Sequence, residues 1–256
     1  MRHSFFHKLS GSRVMHELRI IFEEKTPLSC LRRMQDYKLL AAVHPLLALT
    51  PSKEAVLLEV ENVVNWYRLL YIEPQPQVWL LYFLALCTGL DPEQFAIIAR
   101  RLNFSKRVAG DIAALRQQIR DTAQGIFNWE YHKGPLSELY FLLEPLPLEG
   151  ALYLMARNPR EPLQKYVSMH LTTLRHKRVE VTGNDLKKLG VEAGPRYADI
   201  LHRVLGAAID GQAVCRAEQL ELARRLARGE PIAPILERPA GGERCQLPEE
   251  PASSGS

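Results

Sequence analysis

Six cations frame two tight turns between Leu174 and Arg196, LRHKRVEVTGNDLKKLGVEAGPR. Arg175, Lys177 and Arg178 stand ahead of a helix start, Lys187 and Lys188 lie within that helix, and Arg196 follows Gly194-Pro195. The chemistry such a grouping can do is anion binding. A helix start leaves its first N–H groups unpaired at the positive end of the peptide dipoles, which favours a phosphate oxygen. Gly194 keeps side-chain bulk off the backbone at the second start, and Arg196 adds a mobile charge. Thr182 and Asp185 have the spacing of a capping box, and Gly190 is placed to close the first helix in a left-handed conformation. From Arg157 to Arg203, ten Lys and Arg against five Asp and Glu leave +5, more than the +4 of the whole chain. The same pattern also makes two economical helix ends with a wetted face, and both readings stand at this point.

Two further clusters are of the same kind. ARRLNFSKRV sets Arg100, Arg101, Lys106 and Arg107 around Phe104 and Ser105, and KLSGSRVMHELR places Ser12 and Arg13 at a helix start. Several basic patches spread along a helical chain suit a protein that tracks an RNA backbone, because phosphate contacts position a duplex without reading its sequence. His170 and His176 fall in the basic run as weaker candidates for phosphate contact. His3 and His7 are four apart but have no third ligand, so no metal site is expected.

The residues needed for a reaction are missing. There is no H-E-x-x-H, G-x-x-x-x-G-K-[ST], G-x-S-x-G or G-x-G-x-x-G, and the aspartates stand singly at 36, 91, 111, 121, 185, 199 and 210. Without an Asp-x-Asp pair to hold two Mg²⁺ ions, in-line nucleotidyl transfer has no site, and no catalytic residue is expected in this chain. Cys30, Cys87, Cys215 and Cys245 show no zinc or disulfide spacing.

The elements that position these groups read as helices throughout. Thr26-Pro27 and Asp91-Pro92 are N-cap and first-turn pairs, and Val78 to Thr88 is apolar nearly all round, as a buried central helix is. A helix from Val108 is expected to stop at Gly125, and Pro145 and Pro147 to split LSELYFLLEPLPLEGALYLMARN in two. Strand alternation is missing. The expectation is an all-α protein, an elongated irregular array of about a dozen helices, with segments 1–50, 51–150 and 151–228 and a disordered tail over 229–256. No apolar run long enough for a membrane helix is present, and the expected setting is cytoplasmic.

LSGSRVMHELRIIFEEKTPLSCLRRMQDYKLLAAVHPLL resembles the neck of bacterial tRNA nucleotidyltransferases and poly(A) polymerases through Gly11, Arg13, Glu17 and Leu18, then Leu31, Met34, Leu39, Leu40, His44 and Pro45. TGNDLKKLGVEAGPRYADILHRVLGAAIDG is similar to that family's tail pattern at Thr182, Gly183, Asp185, Leu186, Leu189, Gly190, Gly194, Pro195, Leu201, Asp210 and Gly211. The resemblance runs in order over residues 8–228 and starts at about the junction between the family's catalytic head and its neck.

It implies a neck, body and tail that hold a tRNA or another RNA 3′ end, while a catalytic head, in cis or in trans, adds the nucleotide. Mg²⁺ and ATP or CTP are expected only for such a head, beside which Ser12 and Arg13 would lie near the nucleotide. Two alternatives remain open. Gly190 and Gly194-Pro195 also resemble a DNA-binding helix-hairpin-helix, and a helical scaffold for a protein partner fits the composition.

Overall fold

The computed structural model describes residues 9–230. The His3/His7 pair and, from residue 231, the expected tail lie outside the described residues. These form thirteen α-helices and no strand, so the chain is all-α: α1 Gly11–Phe22, α2 Pro27–Asp36, α3 Leu39–Val43, α4 Pro51–Leu69, α5 Val78–Leu86, α6 Pro92–Arg101, α7 Lys106–His132, α8 Leu136–Leu143, α9 Leu148–Arg157, α10 Glu161–Thr172, α11 Gly183–Lys188, α12 Pro195–Ile209 and α13 Arg216–Ala227. No single helix among them is long and apolar enough to cross a membrane.

The chain forms two compact units. One contains residues up to His132 together with Leu142–Leu171; the other joins Lys133–Phe141 to the chain from Thr172 onward.

The first unit is built around α5. A nine-residue helix without a polar face is stable only if every side is covered, and α1, α4 and α9 pack against it, burying Leu81 through Leu86. Aromatic rings fix the neighbours: Phe22 of α1 stacks on Tyr82 at 6.0 Å between centroids, and Phe83 meets Phe95 and Phe104 edge-on at 6.4 and 5.3 Å. A buried cation, Lys53 of α4, donates from Nζ to the carbonyls of Leu46 and Ala48 and so satisfies the turn that follows α3. Burial pushes its pKa down.

Helix α7 corrects one expectation. It runs through Gly125 to His132, because that glycine serves packing rather than termination: a Cβ there would stand 2.7 Å from Cδ2 of Leu142.

The second unit packs α11, α12 and α13 around Val181, Leu186, Val191, Ile200, Val204 and Ala223. Asp210, just past α12, reaches the start of α8: Ser137 donates its backbone N–H to Oδ1 at 2.8 Å and its hydroxyl to Oδ2 at 2.6 Å. Phe141 of α8 stacks on His202 of α12 at 3.7 Å. An aspartate far along the chain thus caps a helix that has no capping residue of its own.

Candidate nucleic-acid interface

The hairpin that carries the cations is held rigidly from below. Thr182 Oγ1 accepts from Asp185 N at 3.4 Å, and Asp185 Oδ2 accepts from the Thr182 N–H and hydroxyl, each at 2.8 Å, which completes the capping box. Those two bonds from Thr182, then the Arg216 guanidinium at 2.9 Å, outweigh partial burial and hold the Asp185 carboxyl below the usual carboxylate range. At the other end of α11, Gly190 has φ 79°, the left-handed conformation expected of it. Tyr197 of α12 donates its hydroxyl to Val191 O at 3.1 Å and closes the loop.

On this frame the cations occupy three places. Arg175, half-buried, and His176 lie in a 3₁₀ turn, Leu174–His176, followed by exposed Lys177 and Arg178. Arg178 Nη1 folds back onto the carbonyls of Arg175 and Lys177, at 3.0 and 3.2 Å. Lys187 and Lys188 are exposed on the last turn of α11. Gly194 is the N-cap of α12, with extended backbone, open space where a side chain would project and no side-chain cap; Pro195 has no N–H, and Tyr197 N donates to Gly194 O at 2.9 Å. Arg196 is less free than expected: its Nη2 donates to Ala227 O, 2.6 Å away at the end of α13. His170 belongs to the buried set of α10 and is withdrawn from any surface role, whereas His176 is exposed.

In the first unit two clusters that are separate in sequence meet. Gly11 opens α1 with its Cα on the backbone of the α6–α7 joint; an added Cβ would lie 2.1 Å from Arg101 O. Ser10 caps α1 by accepting from Arg13 N at 3.4 Å, and Ser12 and Arg13 are exposed there. Across the contact, Arg100 and Lys106 line a shallow cleft of 590 Å³ with Phe104, and Arg107 faces Asp111 in an exposed ion pair at 3.9 Å. Arg101 serves the fold instead, because its Nε donates to Val43 O at 3.0 Å and fastens α6 to the end of α3. No group of three or more His, Cys, Asp or Glu that could hold a metal ion occurs among the described residues.

Sequence comparison then places this arrangement. Over 225 residues, 87% of the chain, it is 36% identical to an A-adding tRNA nucleotidyltransferase of Geobacter sulfurreducens. The chain is a relative of the tRNA nucleotidyltransferases. It spans 26% of that protein's length. Residues 3–49 match a family described as a probable RNA- and SrmB-binding site of polymerase A. Among solved structures, a CCA-adding enzyme bound to CTP is similar with a TM-score of 0.69 at 20% identity, covering 89% of this chain and 52% of that one. The Thermotoga maritima CCA-adding enzyme in complex with tRNA gives 0.68 at 21% identity, covering 88% and 53%. The fold shared with these structures is about half of each of those chains.

Most of the residues that carry the tRNA nucleotidyltransferase resemblance turn out to build the frame. Leu18, Leu31, Leu40 and Leu186 are core; His44 accepts from Leu46 N at 3.2 Å to start a 3₁₀ turn; Asp210 caps α8; Gly211 has φ 76°. Arg13 excepted, the exposed cations of the candidate surface are not among those residues.

Proposed function

We propose that the chain holds the sugar-phosphate backbone of a tRNA-like RNA, in support of 3′-end nucleotide addition by a catalytic head joined in cis or in trans. The observation that carries this reading is the close seat of Gly11 on the backbone of the α6–α7 joint, which brings the helix start that carries Ser12 and Arg13 against the segment that carries Arg100, Lys106 and Arg107. At the cleft Arg100, Lys106 and Arg107 stand against Glu93 and Asp111, and a surplus of positive charge of this kind suits a polyanion. The exposed Lys177, Arg178, Lys187 and Lys188 of the hairpin, with half-buried Arg175, extend the same chemistry in the second unit, and Arg196 and Gly194 lie at its edge. Relatives that act on tRNA, one of them solved with tRNA bound, support RNA as the polyanion. In this reading Mg²⁺ and ATP or CTP belong to the head, and Ser12 and Arg13 approach the nucleotide only beside it.

The test is binding of the chain to tRNA as a function of salt. Duplex contacts contribute about 0.9 each to the slope of log affinity against log salt, so Arg175→Gln/Lys177→Gln/Arg178→Gln lowers it by up to roughly 2.7 if all three touch phosphate. An unchanged slope refutes the hairpin's part in the reading. Preference for duplex DNA in competition would favour the helix-hairpin-helix alternative, and no nucleic-acid binding at low salt would favour a protein scaffold.

A further inference from the structure

A third concentration of positive charge, which no motif or charge run marks, lies on α7 and the joint between α9 and α10. Two adjoining clefts open there, one of 420 Å³ lined by Asp91, Arg116, Arg120, Tyr153 and Arg157, the other of 480 Å³ lined by Arg120, Gln124, Phe127, Arg157 and Arg160. Arg120 and Arg157 line both, so the two form a continuous trough. On α7 the spacing of Arg116, Arg120, Gln124, Phe127 and Tyr131 is that of a single helical stripe.

The guanidiniums differ in how far they are committed. Arg116 is part of the wall: its Nη2 donates to Leu90 O at 2.5 Å, and its guanidinium lies over the Phe95 ring at 4.7 Å. Arg160 pairs with Glu130 at 3.4 Å, and Arg120 bonds the Gln117 side chain. Arg157, the last residue of α9, is exposed and makes no hydrogen bond or ion pair among the described residues. Four cations thus face two carboxylates, Asp91 and Glu130. Burial lowers the pKa of Arg116; Cys87 and Tyr153 work against that shift, and the nearby Arg120 and Arg157 add to it. Along the stripe, Phe127 is 54% and Tyr131 87% exposed. Exposed rings beside arginines combine the two contacts that unpaired nucleotides use, stacking and phosphate pairing.

We propose that this trough is a subsite for an unpaired stretch of RNA, in which Arg120 and Arg157 hold a backbone phosphate and Phe127 stacks the adjoining base. The proposal rests on the RNA-holding function and adds a site separate from the hairpin and from the α1 start, one that distinguishes single-stranded from paired RNA.

The experiment compares two fluorescent RNAs, a hairpin stem with a single-stranded 3′ extension and the blunt stem, for binding to the whole chain and to variants whose melting temperatures are recorded alongside. Arg120→Gln/Arg157→Gln is expected to weaken binding of the extended RNA about tenfold and to lower its salt slope by about 0.7, the share of one single-strand phosphate. Phe127→Ala is expected to weaken the extended RNA by roughly tenfold and leave the blunt stem unchanged, and Arg157→Lys to retain most of the salt slope. If the wild type binds both RNAs and the variants match it, the trough is not the subsite, while RNA holding stands. If the wild type binds neither RNA with salt dependence, RNA holding itself fails. Inorganic triphosphate that displaces the extended RNA from wild type at micromolar concentration, but not from Arg157→Gln, would assign the trough to a free nucleotide and overturn the proposal.

Discussion

Replacing Gly11 with alanine sets two effects of opposite sign against each other. Intrinsic propensity favours alanine in a helix by up to about 1 kcal/mol, and less at a first helical residue such as Gly11. Packing opposes it. The new methyl would stand 2.1 Å from Arg101 O, 2.8 Å from the carbonyl carbon of Leu102 and 2.9 Å from Asn103 N. A carbon and a carbonyl oxygen ordinarily approach to about 3.3 Å, so the start of α1 must retreat by roughly 1 Å. All three obstacles are backbone atoms, and the turn they form is fastened by Asn103 N to Arg100 O at 3.0 Å, so none can rotate aside. Overpacking of this kind costs about 1–3 kcal/mol, and a backbone obstacle places Gly11→Ala at the upper end. With roughly 2–4 °C of melting temperature per kcal/mol for a chain of this size, a net loss of about 2–3 kcal/mol lowers the midpoint by about 4–12 °C. Gly110→Ala is the internal control: it sits on α7 with nothing within 4 Å of the added carbon, so propensity alone acts and the midpoint rises slightly. Thermal melting followed by circular dichroism reads both. A Gly11→Ala protein that melts at or above the wild-type temperature would falsify the close seat of α1 on the α6–α7 joint, and with it the convergence of the two basic clusters.

Further outcomes follow from the second unit. Gly190→Ala forces a side chain into φ 79° and is expected to destabilise by about 1–2 kcal/mol in urea denaturation, with no compensating contact, since nothing lies within 4 Å of the new carbon. Asp210→Ala removes both bonds to Ser137 and is expected to cost about 1–3 kcal/mol, with faster amide exchange in the first turn of α8; unaltered exchange there would refute the remote cap. Thr182→Ala dismantles the capping box for about 1 kcal/mol. Asp185 has a folded pKa below its ordinary 3.8, so its contribution is complete above that value and is lost as pH falls through the folded pKa. The stability gap between wild type and Asp185→Asn should therefore narrow on acidification below 3.8, and a gap independent of pH would contradict the assigned bonds.

What can be read from the sequence is mainly local. Asp91-Pro92 gives a complete capping box with Gln94, Thr182 and Asp185 do the same, and Gly190 takes its left-handed place, because each signal involves groups within a few residues of one another. Val78–Leu86 is legible as a buried helix because no face of it is polar. Gly125 misleads because its reason lies across a packing contact with Leu142, and Arg196 looks free in the sequence because its partner, Ala227, belongs to another helix. Lysines and arginines in runs stand out as candidates, yet no run marks the trough on α7: Arg116 and Arg120 are spaced for a helix face, and Arg157 joins them only after the chain has turned back. Composition reveals that charge is present; tertiary structure decides which charges share a site.

Asp210 and Ser137 are 73 residues apart, and the short segment Lys133–Phe141 belongs to a unit whose other members all come later in the chain. A ribosome delivers that segment first, so the opening turn of α8 must wait, uncapped, until α12 has been made. The second unit cannot be released by a single cut or expressed as one uninterrupted piece starting at Thr172, because its α8 portion would stay behind. A rearranged chain that fuses 133–141 directly to 172–230 is the shortest polypeptide in which this unit has all its described parts.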